Sequence, residues 1–203
     1  MYRVLASQPI SITIKKSEFI GVLFRVTTED EVRTNLKELH RNHPKATHIC
    51  SAYILGDQQE VQRSNDDGEP SGTAGLPMLE VLRKRNMEHI LVCVIRYYGG
   101  IQLGAGGLNR AYSSVVSETL NQATLSQLKP VVRSTVQFPI HFADRLIQLL
   151  SKSTTIISKS FTDVATIVVI SDDTSWLDAC LTLSGGQFTV IDKKFEEIEV
   201  SIT

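Results

Sequence analysis

The spacing of apolar and polar residues changes period several times along the chain, and each change marks an element. Residues 10–14 and 19–26 alternate as strands do. Thr28-Glu29-Asp30-Glu31 has the form of a capping box, in which the Thr28 hydroxyl and the Glu31 carboxylate each take an amide at a helix start. Val32, Leu36 and Leu39 give that helix one apolar face, and His43-Pro44 ends it. Residues 47–55 and 60–64 read as a hairpin turning at Gly56-Asp57. A polar, Gly-rich loop follows over 65–75. Pro77 then sits in the first turn of a helix that runs to about Arg85. Residues 89–97 are apolar on both faces, which places that strand centrally in a sheet. A second Gly-rich loop spans 99–107. After it Leu108, Ala111, Tyr112, Val115, Val116, Thr119, Leu120 and Ala123 recur at helical spacing.

Gln127-Leu128-Lys129-Pro130 interrupts the pattern. Beyond it the reading is strand 131–138, helix 142–151, strands 154–160 and 163–171, helix 174–184 and strand 187–201. Residues Asp172 to Ser175 supply an N-cap for the last helix and Gly185-Gly186 a C-cap. The order βαββαβ is the ferredoxin-like split motif. The chain therefore reads as α+β in two domains, 1–128 and 129–203, each of two layers with helices covering one face of its sheet.

Composition narrows the function classes. With 203 residues, 42% hydrophobic content and a net charge of -1, the chain buries a real core and is not disordered in bulk. Lys and Arg number 14 before residue 128 and 7 after it, against 13 and 9 Asp and Glu, so the halves carry +1 and -2. A protein gripping DNA by net charge alone is excluded; a local basic patch is not. The longest apolar run, Ile90 to Ile95, is strand-sized, so no membrane span is expected. The first residues lack the pattern of a secretion signal. Cys50, Cys93 and Cys180 are odd in number, far apart and without Cys-x-x-Cys, as expected of buried thiols in a reducing cytoplasm. No His and Cys spacing suits zinc, and neither a metal nor a cofactor is expected.

Two loops carry the candidate chemistry. In the first, Asp66, Asp67 and Glu69 place three carboxylates within four positions. Such oxygens suit a hard metal or an acid/base pair, although calcium-loop spacing is absent. The plainer reading is a tight turn, with Asp bonding backbone, Gly at positive φ, and Ser71 or Thr73 capping the next helix. In the second, Arg96, Tyr97, Tyr98, Gly99, Gly100, Gly104, Gly106, Gly107 and Arg110 lie between a buried strand and a strong helix. Glycines let backbone approach a ligand, a helix start offers free amides to an anion, arginines hold phosphate, and tyrosines stack on bases. Neither a P-loop nor a dinucleotide fingerprint is present. Leu183-Ser184-Gly185-Gly186-Gln187 matches the transporter ATPase signature by letter, but its glycines close a helix rather than open one. His48 and Cys50 share a strand face, a weak arrangement for a catalytic dyad. Lys15-Lys16 and Arg83-Lys84-Arg85 are short basic runs.

Long motifs in fixed order carry a resemblance. Lys15-Lys16-Ser17-Glu18-Phe19-Ile20, Ala46-Thr47-His48, Asp66 to Gly75, Arg96-Tyr97-Tyr98-Gly99-Gly100 and Leu103 to Leu108 resemble the IMPACT/YigZ family over about residues 15–123. The later half resembles the tail of the family's bacterial two-domain branch. The resemblance implies that the first domain is similar to domain two of ribosomal protein S-five and to domain IV of elongation factor G. It implies a ferredoxin-like tail similar to that factor's domain V. Eukaryotic relatives are translation regulators that compete for the activator of an initiation-factor kinase; bacterial relatives lack that pathway, and RNA or ribosome binding is the usual suggestion for them. Many relatives carry Lys or Arg before the proline that follows the first loop. Leu76 stands there instead, which implies weaker anion contact at that point.

The leading expectation is a cytoplasmic binding protein linked to translation regulation. RNA or the ribosome is its partner, or a protein of the translation machinery. Arg96, Tyr97, Tyr98, the glycines and Arg110 would make the surface, flanked by Lys15, Lys16 and Arg63. The alternative is a small-molecule enzyme or ligand sensor that uses Asp66, Asp67, Gly68, Glu69, Ser71, Gly72, Thr73 and His48 with the second loop. Oligomeric state is left open by the sequence.

Overall fold

The computed structural model describes residues 1–202. These fall into two compact units, Met1–Gln127 with the last residues from Val200, and Leu128–Glu199. The architecture is mixed α+β, with two sheets and five α-helices.

The first unit contains β1 (Tyr2–Ala6), β2 (Ile10–Ile14), β3 (Ser17–Arg25), α1 (Glu29–Asn42), β4 (His48–Leu55), β5 (Val61–Asn65), α2 (Gly75–Lys84), β6 (Ile90–Tyr97) and α3 (Ala105–Asn121). Its main sheet is antiparallel throughout, in the order β2-β3-β6-β4-β5. The expected two-layer arrangement is corrected here, because both faces of this sheet are covered. Ile90, Val92 and Val94 of β6 pack with Met78 and Leu82 of α2 and Tyr112, Val115 and Val116 of α3. Leu91, Cys93 and Ile95, pointing the other way, pack with Val32 and Leu39 of α1. Alternating side chains thus fill two cores, which is why this strand reads as apolar throughout.

Local signals explain most boundaries. Thr28 caps α1 by accepting from the Glu31 amide at 3.2 Å, while the Glu31 carboxylate accepts from the Thr27 amide at 2.6 Å, one residue earlier than the simple capping box. β1 went unread. It is five residues long and pairs with Thr124–Gln127, more than a hundred positions away.

The second unit follows from β7 (Thr124–Pro139), which begins in the first unit. It continues through α4 (Ala143–Ser153), β8 (Thr155–Phe161), β9 (Val164–Ser171), α5 (Trp176–Leu183) and β10 (Thr189–Ile202). Strand order is β10-β7-β9-β8. Leu146 and Leu150 of α4 and Trp176 and Cys180 of α5 pack on Val136, Ala165, Ile167 and Val169. Pro130 does not break β7. It lies between the last residue paired with β1, Gln127, and the first paired with β9, Val132. Gly185 and Gly186 take positive φ and their amides donate to Thr182 and Leu181 carbonyls, so Leu183 to Gln187 does close a helix. No helix among the described residues is long and apolar enough to cross a membrane.

Candidate functional site

The first loop spends its carboxylates on backbone. Asp66 Oδ1 accepts from the amides of Ala74 at 3.0 Å and Gly75 at 2.8 Å, and Oδ2 from Gly72 at 2.8 Å. It caps α2 from eight residues away, a task expected of Ser71 or Thr73. Ser71 is exposed, and Thr73 instead donates to the Pro70 carbonyl at 2.6 Å. Burial opposes ionisation of Asp66, but the amides of Gly72, Gly75 and Ala74 together outweigh it and hold its carboxyl below the usual value. Asp67, at φ 44°, accepts from the Ile49 amide at 2.6 Å, and its carbonyl accepts from His48 Nδ1 at 2.7 Å. Gly68 sits beside the His48 ring, and Gly72 turns at φ 74°. Leu76, in the first turn of α2, is exposed. Among the described residues no group of three or more His, Cys, Asp or Glu is placed to hold a metal.

Glu69 is different. It turns inward, is 7% exposed, and is the centre of a buried network. Its Oε1 accepts from Arg96 Nη1 and from the Tyr112 hydroxyl at 2.7 Å, and His48 Nε2 lies 3.9 Å from Oε2. Arg96 is 4% exposed. Its guanidinium lies 5.3 Å from the ring centres of both Phe19 and Tyr98, and Nη2 donates to Ser17 Oγ at 3.4 Å. Its Nε is buried without a partner, a deficit of about 1–3 kcal/mol by itself. Arg96 is therefore not the surface phosphate ligand that the sequence suggested. It occupies a central strand whose side chains all point into one core or the other, and its charge is matched by Glu69. Cys50 is not paired with His48. Its Sγ lies 3.0 Å from the Asp66 carbonyl and 3.3 Å from the Tyr112 hydroxyl, and burial pushes the thiol up to about 12. Burial, reinforced by Cys50 and Glu69, also pushes Tyr112 upward.

In the second loop adjacent tyrosines go to opposite faces. Tyr97 points toward α1, with its hydroxyl 2.8 Å from His43 Nδ1. Tyr98, 45% exposed, stands on the Arg96 side. A Cβ at Gly99 would lie 1.9 Å from the Lys16 carbonyl oxygen, so only glycine lets the strand end pass the Lys15-Lys16 turn. Gly104 has φ 71° and precedes Ala105, the first residue of α3. The helix thus begins three residues earlier than the apolar spacing indicates, with Gly106 and Gly107 in its first turn. No side chain caps this end. Gly100, also at positive φ, faces open space, and exposed Arg110 reaches back beside Gly106.

A cleft of about 430 Å³ joins the two loops. Thr47, His48, Glu69, Arg96, Tyr98 and Gln102 line it together with the start of α3 at Gly104 and Ala105. The structure therefore brings together residues from both candidate sets. Of the expected residues only His48, Glu69, Arg96, Tyr98 and Gly104 line it. The other expected residues of both loops, Tyr97, Lys15 and Lys16 do not; Arg110 lines a separate groove with Asn109 and Ser113, and Arg63 one with Glu29, Val32 and Tyr53 on the α1 side. Sequence reading missed Tyr112, Ser17 and Phe19 as members of this network. The signal for Tyr112 was a hydroxyl inside an apolar helical stripe, which demands a buried partner.

The Impact N-terminal domain matches residues 15–120, the stretch that builds this cleft. The chain belongs to the IMPACT family. Among its IMPACT relatives, YvyE of Bacillus subtilis is 52% identical over 118 residues, 58% of this chain and 54% of that protein, so the match spans about half of the relative's length. YigZ of Escherichia coli is 37% identical over 142 residues, covering 68% of this chain and 70% of YigZ. A crystal structure of a hypothetical protein covers 93% of this chain and 95% of its own, at 30% identity and a TM-score of 0.60.

Proposed function

We propose that this IMPACT-family protein acts in translation regulation as a cytoplasmic binding protein that takes RNA, free or on the ribosome. The observation that carries the reading is the exposed Tyr98 ring, backed by the Arg96 guanidinium and standing beside the uncapped start of α3. A base stacks on the open ring, and phosphate meets the helix amides. The exposed Lys15-Lys16 turn, locked against Gly99, and Arg110 on α3 add cations around it. Arg63 plays no part, since it lies on the other face. Domains divided near residue 128 agree with the two compact units. A ferredoxin-like second domain is supported by the βαββαβ order and the strand order β10-β7-β9-β8. Likeness of the first domain to ribosomal protein S-five domain two, and the link to translation, are carried over from the family.

Co-sedimentation with ribosomes and ribosomal RNA at several salt concentrations tests the proposal. Tyr98→Ala combined with Lys15→Ala and Lys16→Ala is expected to weaken binding. It is also expected to flatten the salt dependence by roughly one unit of slope for each phosphate that is no longer neutralised. Unchanged affinity and slope would overturn the proposal.

A further inference from the structure

We infer that the free edge of β10 is a seam on which a second copy of this chain pairs, antiparallel and centred on Phe195. Among the described residues β10 pairs with β7 alone, so it ends the second unit's sheet on that side. The outer edge of such a strand offers a row of backbone donors and acceptors, the feature that invites addition of another strand. Ile191 to Phe195 are all exposed, and Phe195, at 81%, is the most exposed large apolar side chain among the described residues.

Charge selects the occupant. The strand reads Lys193-Lys194-Phe195-Glu196-Glu197, with its cations before Phe195 and its anions after it. A two-fold axis at Phe195 sets each Lys193 opposite a Glu197, each Lys194 opposite a Glu196, and the two Phe195 rings opposite one another. Sliding the register by one residue keeps only one charge pair in each half and sets Phe195 opposite a charged neighbour. A parallel copy in register would set Lys against Lys and Glu against Glu. On one face Glu196 already meets Arg133 at 3.3 Å and Lys194 meets Asp192 at 3.2 Å. On the other, Lys193 Nζ lies 5.7 Å from the Phe195 ring centre, and among the described residues neither Lys193 nor Glu197 has an ion-pair partner. Those two charges are left for a second copy. An edge guarded against strand addition carries charge of one sign; this one complements itself. The opposite edge of the sheet, β8, lacks the device, since Lys159 is the one charged residue of Thr155–Phe161.

Sedimentation equilibrium of the full chain over a range of concentrations, at low and high salt, tests the inference. A seam of one strand pair is at the small end of specific interfaces, so a monomer–dimer equilibrium in the micromolar range, weakened by salt, is expected. Lys193→Glu sets Glu against Glu197 on both sides of the axis, and Glu197→Lys sets Lys against Lys193. Each is expected to raise the dimer dissociation constant by about tenfold while the circular-dichroism melt holds. The double variant Lys193→Glu with Glu197→Lys rebuilds both pairs and is expected to dimerise as the parent does. An equal mixture of the two single variants is expected to form the mixed dimer in preference to either homodimer. Phe195→Cys is expected to oxidise to a disulfide-linked dimer faster than Ile191→Cys, because pairing about Phe195 brings only that position to its own symmetry mate. A chain that stays monomeric at every concentration overturns the inference. So does a dimer that the single changes leave intact or the double change fails to restore. None of these changes touches Tyr98, Lys15 or Lys16, so this inference and the proposed RNA binding fail separately.

Discussion

The two Gly-rich loops look alike in sequence, yet they finish their helices in opposite ways. At the first, Asp66 fills three amide positions around the start of α2. At the second, Gly104 brings the chain to α3 with no side chain to cap it. The first loop is closed upon itself and rigidifies the fold. The second leaves its donors facing a cleft. A glycine-rich helix start is thus informative about ligands only after the acidic residues nearby have been traced to their own partners.

The Glu69–Arg96 pair joins the loops, and breaking it gives the largest effect. Arg96→Met leaves Glu69 buried beside Tyr112 without its cation. A loss of about 3–5 kcal/mol is expected in chemical denaturation. The double variant Glu69→Gln with Arg96→Met is expected to lose less than the two single losses added together. Equal additivity would place the two side chains in separate environments.

Gly99→Ala comes next. Its Cβ meets the Lys16 carbonyl, an approach that neither backbone can yield to easily, and about 1–3 kcal/mol of stability is expected to go. Asp66→Ala follows, at roughly 0.5–2 kcal/mol, the usual worth of a helix cap. Here pH sharpens the comparison. The carboxyl of Asp66 is held below the ordinary 3.8, so its contribution is fully present above that value and is lost as pH falls through the lower folded value. Asp66→Asn is expected to flatten the acid limb of stability measured between about pH 5 and 2. An unchanged limb would show that Asp66 is not the cap.

The smallest effects belong to exposed or inert groups. Tyr98→Ala is expected to shift the melting temperature by no more than about 2 °C, consistent with surface replacement. Thiol titration at about pH 8 is expected to find all three cysteines slow to react in the folded protein and fast in denaturant, because burial raises each thiol. Rapid labelling of Cys50 in the folded state would contradict the closed network around Tyr112.

Elements whose cause is local were legible in the sequence. The hairpin, the caps at Thr28 and Gly185, and β6 all follow from neighbouring residues. What was hidden depends on distant partners. β1 is defined by Thr124–Gln127, and Arg96 changes from surface ligand to buried pair because Glu69 arrives from another loop 27 positions earlier. The layer count failed for a related reason: α1 carries only a narrow apolar stripe, and nothing in its spacing says which face of the sheet it covers.

The most direct test of the contrast is amide NMR during titration with a 5′-phosphorylated RNA hexamer. The account predicts saturable shifts at Tyr98, Ala105, Gly106 and Gly107, with Gly72, Ala74 and Gly75 unmoved because Asp66 already holds them. Shifts at the first loop in place of the second, or none at the start of α3, would contradict it.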